Sequence, residues 1–347
     1  MSVEVVIVLF EHVAVGLLLA LLTGWLGMRL ARRLGLMDIP GQEAHKQHAA
    51  PTPLAGGMAI LLAFLGALFF YGDEFKDLFP ILLTGSIVLV TGLVDDVISV
   101  RFWQKLVVEV CAAALLIGMG VQVRVFASAF PTMNVQVAGS LDLFVTLLWL
   151  VGMTNAFNFV DSMDGLATGV GLITAIFLSA ACLFSGQASL AFFMAFLVGL
   201  TYGLHAYTSM PARLFLGDGG ALALGFLLAS AAMVYNPRIF PQGSSWFVPI
   251  LILGVPIFDA TLIVFSRLRR RRQVYLANRD HTYHRLVALG LEPNRAVLVM
   301  HVTSVLLGCI AFVAMNQSPL WANAIFVAAL AAGVVLLFVL DDFRQWR

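Results

Sequence analysis

Residues 4–28 read EVVIVLFEHVAVGLLLALLTGWLGM, and no charged residue interrupts the run from Val13 to Met28. A helix needs about 20 mostly apolar residues to cross the hydrocarbon core of a bilayer, so this run predicts a transmembrane helix. It lacks the basic start of a cleavable signal, carries Glu4 and Glu11, and shows no small-residue cleavage pattern. We therefore expect it to be the first membrane helix.

The same pattern recurs along the chain, at 54–71, 78–94, 104–122, 141–157, 166–184, 189–207, 218–235, 247–266, 296–316 and 321–340, giving eleven expected spans. Between two of them, partial alternation (Val121, Val123 and Val125, then Val135 and Val137) around Pro131 predicts a small extramembrane β-hairpin over 123–140. Composition agrees with a membrane protein. Of 347 residues, 61% are hydrophobic and 11% charged, whereas a soluble domain carries about 25% charged residues. That excludes a soluble globular enzyme and a disordered chain. The balance of 20 Lys and Arg against 19 Asp and Glu leaves no basic excess for binding nucleic acid. The expected fold is all-α: a polytopic integral membrane protein of about 11 transmembrane helices, one domain over 1–347. Cys111, Cys182 and Cys309 all lie in apolar runs and read as buried small hydrophobes.

With eleven spans the termini fall on opposite sides. Placing the N-terminus outside and the C-terminus in the cytoplasm puts all but Lys76, Arg124 and Arg238 of the 20 basic residues inside, as the positive-inside rule requires. Acidic residues contribute little to topology, yet Asp95, Asp96, Asp161, Asp164, Asp218, Asp259 and Asp280 all fall at or near cytoplasmic span ends. Any one of them can be a helix cap. Seven on one face point to a carboxylate-rich site.

The loops give that face its chemistry. The first, Asp38 to Gly57, offers His45, Lys46 and His48 as donors for a phosphate. In the second, the adjacent Asp95 and Asp96 point in different directions on a helix; one can hold a metal or Lys105 while the other faces a substrate. In the third, Asn155, Asn158 and Asp161 recur every three residues and share a helical face, an oxygen-rich set suited to Mg²⁺ or Mn²⁺. The fourth sets Asp218 among Gly217, Gly219 and Gly220, where backbone can approach a ligand closely. The fifth carries Arg267 and Arg269–Arg272, an anchor near anionic lipid, followed by His281 and His284, which can bind a pyrophosphate or donate protons. Two histidines and a carboxylate can also form a transition-metal site. His12, His205, His301 and Glu109 within spans read as satisfied buried polar groups, and Asp341 and Asp342 as solvated tail residues. Together the loops suit metal-assisted chemistry on an anionic phosphate at the bilayer surface.

The Asp95-Asp96 loop, the Asn155-to-Gly165 segment, Gly217-Asp218-Gly219 and the His281–His284 segment, in this order, resemble the polyprenyl-phosphate N-acetylhexosamine-1-phosphate transferase family. The resemblance implies a multi-pass enzyme of the bacterial plasma membrane with its active site on the cytoplasmic side. It implies transfer of N-acetylhexosamine 1-phosphate from a UDP-N-acetylhexosamine to a polyprenyl phosphate lipid, with release of UMP and a requirement for Mg²⁺, and it makes a homodimer plausible. By position, Asp95, Asp96, Asp161, Asp164 and His281 match catalytic positions, with Asp218 and Asp95 at the metal. Lys46, His48, Lys105, Asn155, Asn158, Gly217 and His284 match substrate-binding positions. Two departures stand out. Tyr283 replaces a histidine of the family's His-Xaa-His-His pattern, and the three consecutive histidines of the peptidoglycan branch are missing. The second favours a plain UDP-HexNAc, GlcNAc first, over a peptide-linked donor.

Two other classes remain in view. A cation-coupled transporter would keep its acids near the bilayer midplane, between repeats. A scaffold would need none of them.

Overall fold

The computed structural model describes residues 3–39, 51–130, 132–237, 240, 242–273 and 280–342. It is almost wholly helical. Helix α1 (Val3–Leu34) leads to a short antiparallel pair, β1 (Met37–Asp38) and β2 (Thr52–Pro53). Then follow α2 (Gly56–Tyr71), α3 (Phe79–Ile98), α4 (Phe102–Gly118), α5 (Val125–Ala129) and α6 (Val135–Val160). The chain continues through α7 (Leu166–Phe184), α8 (Ala188–Thr208), α9 (Gly217–Val234), α10 (Gln242–Ser245) and α11 (Val248–Ile252). It ends with α12 (Gly254–Arg269), α13 (Thr282–Ala288), α14 (Pro293–Met315) and α15 (Pro319–Asp341). Among the described residues, eight helices are long and apolar enough to cross a membrane, nine if a bent pair is one span. Every segment expected to span contains a helix, but α2 and α4 are shorter, at 16 and 17 residues.

Two local expectations are corrected. The 123–140 segment is not a hairpin: α5 and the start of α6 occupy it. The Asn134 side chain accepts from Gln136 N at 2.9 Å and caps α6, while the buried Asp142 carboxylate accepts from Phe126 N at 2.8 Å and Ala127 N at 3.2 Å at the start of α5. These side chains satisfy helix-end donors that alternation alone does not reveal. The segment 247–266 is not one straight span either. It breaks at Leu253 with a 67° bend, where Pro256 has no N–H to continue the ladder and Gly254 weakens the turn.

The core lies between α7, α8 and α9, whose faces are buried almost all round. α1 and α15 are far less enclosed. Glycine pairs bring backbones together where the site forms. A Cβ on Gly92 in α3 would sit 2.5 Å from Gly219 Cα, so the first turn of α9 lies directly on the last turns of α3. The β2 strand adds a second fix, since Phe215 N donates to Pro53 O at 2.9 Å just before α9 begins.

Candidate active site

Asp95 and Asp96 sit on the last turn of α3. Ser99, at φ +51°, ends that helix in the left-handed region and turns the chain back, so Val100 N donates to Asp95 Oδ1 at 2.5 Å. The reversal starts α4 and carries Lys105 over the same carboxylate, with Nζ donating to Asp95 Oδ2 at 2.7 Å. Asp96 points elsewhere, as consecutive helical residues must. It accepts from Asp218 N at 2.8 Å and Gly219 N at 3.2 Å, two of the donors a helix N-terminus leaves unpaired. Gly217 makes this possible: its φ is +71°, and a Cβ there would lie 2.7 Å from Asp96 Oδ2. Thus anchored, Asp218 places Oδ2 2.6 Å from the same Lys105 ammonium.

The end of α6 closes the cluster. The Asn158 side chain lies near the Asp218 carboxylate. Asn155 turns to the buried Glu109, one helical turn beyond Lys105, and also donates to Val151 O at 2.9 Å. Asp161, just past the last turn of α6, lies within electrostatic reach of Asp218, Asp96 and Asp164. Desolvation first, and then those negative neighbours, push its carboxyl well above the usual range. Asp164 accepts from Ala212 N at 3.0 Å and ties the α6–α7 turn to the chain after α8.

The His281–His284 segment packs against the same end of α6. His281 lies edge-on to Phe159, with ring centroids 6.2 Å apart. Its Nδ1 is 3.1 Å from Asp259 Oδ2, and the other oxygen of Asp259 accepts from Thr282 N at 2.6 Å. That contact occupies one ring nitrogen of His281. Tyr283 donates its hydroxyl hydrogen to Ser162 O at 2.7 Å, so its oxygen accepts from His284 Nε2 at 2.6 Å. The residue that departs from the family pattern therefore joins the α6–α7 turn to His284.

The structure thus brings Asp95, Asp96, Lys105, Asn158, Asp161, Gly217 and Asp218 into one cluster, with Asn155, Asp164, His281 and His284 around it. Lys46 and His48 lie outside the described residues. The acids stand at helix ends on one side of the bundle, not at mid-span, where a transporter would hold them. His205 and His301 are satisfied as expected: His205 Nδ1 lies 3.0 Å from Thr168 Oγ1, and His301 Nε2 3.4 Å from Leu166 O.

Two partners carried no role in the sequence reading. Asp259 was one of the seven cytoplasmic-end acids without a role of its own, because its partners His281 and Thr282 lie 22 and 23 residues further along the chain. Asp341 read as solvated, and the structure contradicts that. It is fully buried, with Oδ2 2.9 Å from Arg269 and Oδ1 2.5 Å from Arg270. Its place next to the arginine run in space, seventy residues away in sequence, hides this pairing from a linear reading.

A divalent cation is chemically compatible with the centre. Asp95 and Asp218 each give one oxygen to the Lys105 ammonium; hard oxygen donors suit Mg²⁺ or Mn²⁺, and an ion beside that ammonium would draw on the remaining lone pairs of both carboxylates. Among the described residues no group of three or more His, Cys, Asp or Glu side chains is arranged to hold a metal alone. An ion here would keep water or substrate phosphate among its ligands, as Mg²⁺ commonly does.

The chain has relatives among known proteins. The model of glycosyl transferase family 4 matches residues 78–236. The chain is 30% identical to a decaprenyl-phosphate N-acetylglucosaminephosphotransferase of Mycobacterium tuberculosis, over 90% of this chain and 85% of that one. It belongs to glycosyl transferase family 4. A probable undecaprenyl-phosphate N-acetylglucosaminyl 1-phosphate transferase of Bacillus subtilis is 28% identical over 95% of this chain and 88% of its own. An undecaprenyl-phosphate alpha-N-acetylglucosaminyl 1-phosphate transferase of Thermotoga maritima is 29% identical over 73% and 74%. The family 4 match takes in every residue of the central cluster, from Asp95 to Asp218. The His281–His284 segment and Asp341 lie beyond it.

Proposed function

We propose that this family 4 protein transfers N-acetylhexosamine 1-phosphate, most simply GlcNAc 1-phosphate, from the UDP-sugar to undecaprenyl phosphate. An oxygen of the lipid phosphate attacks the sugar-linked phosphorus of the donor, the bond to the bridging oxygen breaks, and UMP leaves. The product is undecaprenyl-diphosphate-HexNAc, a starting unit for cell-envelope polysaccharide. The observation that carries this reading is one ammonium, Lys105, shared by carboxylates from two helices. Relatives named for this activity support it.

Phosphoryl transfer depends mostly on positioning and charge neutralisation. Lys105 binds a phosphate oxygen while Asp95 and Asp218 fix its ammonium. Asn158 offers its amide near Asp218, and Asp96 holds the first turn of α9 in place. His281 and His284 contact the donor's diphosphate, each oriented through a contact to Asp259 or Tyr283. Asp218 and Asp95 are the residues that would hold Mg²⁺, which when bound neutralises phosphate charge and stabilises the departing UMP. A phosphate monoester has a second pKa near 6, so the acceptor is largely ionised at neutral pH and direct attack needs little help from a base. We favour it over an aspartyl intermediate.

The same reading sets eleven spans in the bacterial inner membrane, the N-terminus outside and the C-terminus and active site in the cytoplasm. The basic-residue bias and the one-sided acids support that orientation. A homodimer fits it too. A donor panel tests the specificity: purified protein with undecaprenyl phosphate is expected to turn over UDP-GlcNAc well above UDP-GalNAc, and not a UDP-linked muramyl pentapeptide. Preference for the peptide-linked donor would overturn the reading.

A further inference from the structure

We propose that Asp341, the last residue of α15, is a positioning residue for the His281–His284 segment. The proposal rests on the reading above that this segment meets the donor's phosphates.

Asp341 closes an otherwise uncharged helix that is among the least enclosed of the fold, yet its own side chain is fully buried. Burying a carboxylate is costly unless it is paired and hydrogen-bonded. Here the pairing runs to cations on both sides of the histidine segment. Arg269 and Arg270, at the end of α12, approach its two oxygens at 2.9 and 2.5 Å, and Arg270 also donates to the Asp341 carbonyl at 2.9 Å. Arg285, next to His284, is 1% exposed. It lies 3.4 Å from Asp341 Oδ1 and donates to Leu340 O at 2.9 Å and to Ser266 Oγ at 2.8 Å. Its Nε donates to Asp280 O at 3.1 Å, immediately before His281. Asp280 in turn lies 3.4 Å from Arg267.

The chain of contacts therefore runs from Asp341 through Arg285 to the residues flanking both histidines. Without the carboxylate, Arg270 and Arg285 face each other as like charges in a buried setting, and desolvation already holds the Arg285 guanidinium below its usual range. Relief requires Arg285 to move outward, carrying α13 and His284 with it. Asp259 fixes the segment from the core side; Asp341 fixes it from the last helix.

A double-mutant cycle tests this. Asp341→Asn is expected to lower kcat/KM for UDP-GlcNAc by about tenfold or more in the otherwise native chain, but by less than about twofold in a His281→Ala background. Equal losses in both backgrounds would mean that Asp341 acts on the fold at large, and would overturn the proposal. Asp342→Asn, which alters an exposed neighbour, is expected to leave turnover unchanged; a loss equal to that of Asp341→Asn would also overturn it. Hydrogen exchange in detergent gives a readout independent of turnover. Asp341→Asn is expected to raise exchange across 280–288 and leave the first turn of α9 unaltered. Unchanged exchange across 280–288 would refute the positioning role. If the native protein turns over no UDP-sugar, the functional reading falls, and the exchange result still decides the role of Asp341.

Discussion

Lys105 and Asp218 meet at 2.6 Å across 113 residues of chain, and their contact joins the two halves of the site. Lys105 belongs to the first turn of α4, Asp218 to the glycine-rich start of α9. Asp95 completes the bridge at 2.7 Å. Removing the ammonium leaves two facing carboxylates with no counter-charge from Lys105, and removes a phosphate ligand. Lys105→Ala is therefore expected to lower turnover by about 10²–10³-fold, the scale of losing one charge-stabilising donor at a reacting centre. UMP release from purified protein measures it, and activity within threefold of native would count against the assigned role.

Gly92 sets how closely α9 approaches α3. A methyl group there would meet Gly219 Cα at 2.5 Å, and both partners are backbone, so neither can rotate away. Gly92→Ala is expected to cost about 1–3 kcal/mol of stability and to lower turnover by separating Asp96 from the donors of α9. Thermal unfolding in detergent and UMP release should fall together; a native melting temperature would show that the helices have room.

Asp161 gives a stability prediction with a definite sign. Its carboxyl titrates well above the usual range because desolvation and acidic neighbours disfavour the charged form. The folded state therefore holds a proton that the unfolded chain has already lost, and stability falls as pH rises from the ordinary aspartate range toward the raised value. Asp161→Asn removes that loss. In EDTA the variant is expected to melt higher than native protein at neutral pH, with lower turnover, a trade commonly found at functional sites. A lower melting temperature would contradict this.

Tyr283 tests the departure from the family pattern. Its hydroxyl links Ser162 O to His284 Nε2. Tyr283→Phe loses both bonds, worth about 0.5–1.5 kcal/mol each, and is expected to raise KM for the donor up to about tenfold while changing kcat less. An unchanged KM would mean that His284 needs no support from Tyr283.

The sequence carried the periodic features of this fold and the local clusters of its site. Apolar runs mark the helices because a bilayer demands length and hydrophobicity, both visible residue by residue. Asp95, Asp96, Asn158, Asp161 and Asp218 stand out because carboxylates and amides at the ends of such runs are costly without a purpose. Contacts between distant segments were not legible. The pairing of Asp341 with Arg270 and Arg285 depends on where α15 ends in space. The bend at Leu253 turns on how Gly254 and Pro256 resolve within an apolar run. The expected hairpin failed because Asn134 and Asp142 cap helices in a stretch whose alternation suggested strands.

A single reaction tests the transfer itself: purified protein, undecaprenyl phosphate, UDP-GlcNAc labelled in the sugar, and Mg²⁺, with UMP and lipid-linked label followed together. Equal amounts of both products are expected, abolished by EDTA, dependent on the lipid and lost in Asp218→Asn. Folded protein that forms neither product, or forms both equally well in Asp218→Asn, would contradict the proposed transfer.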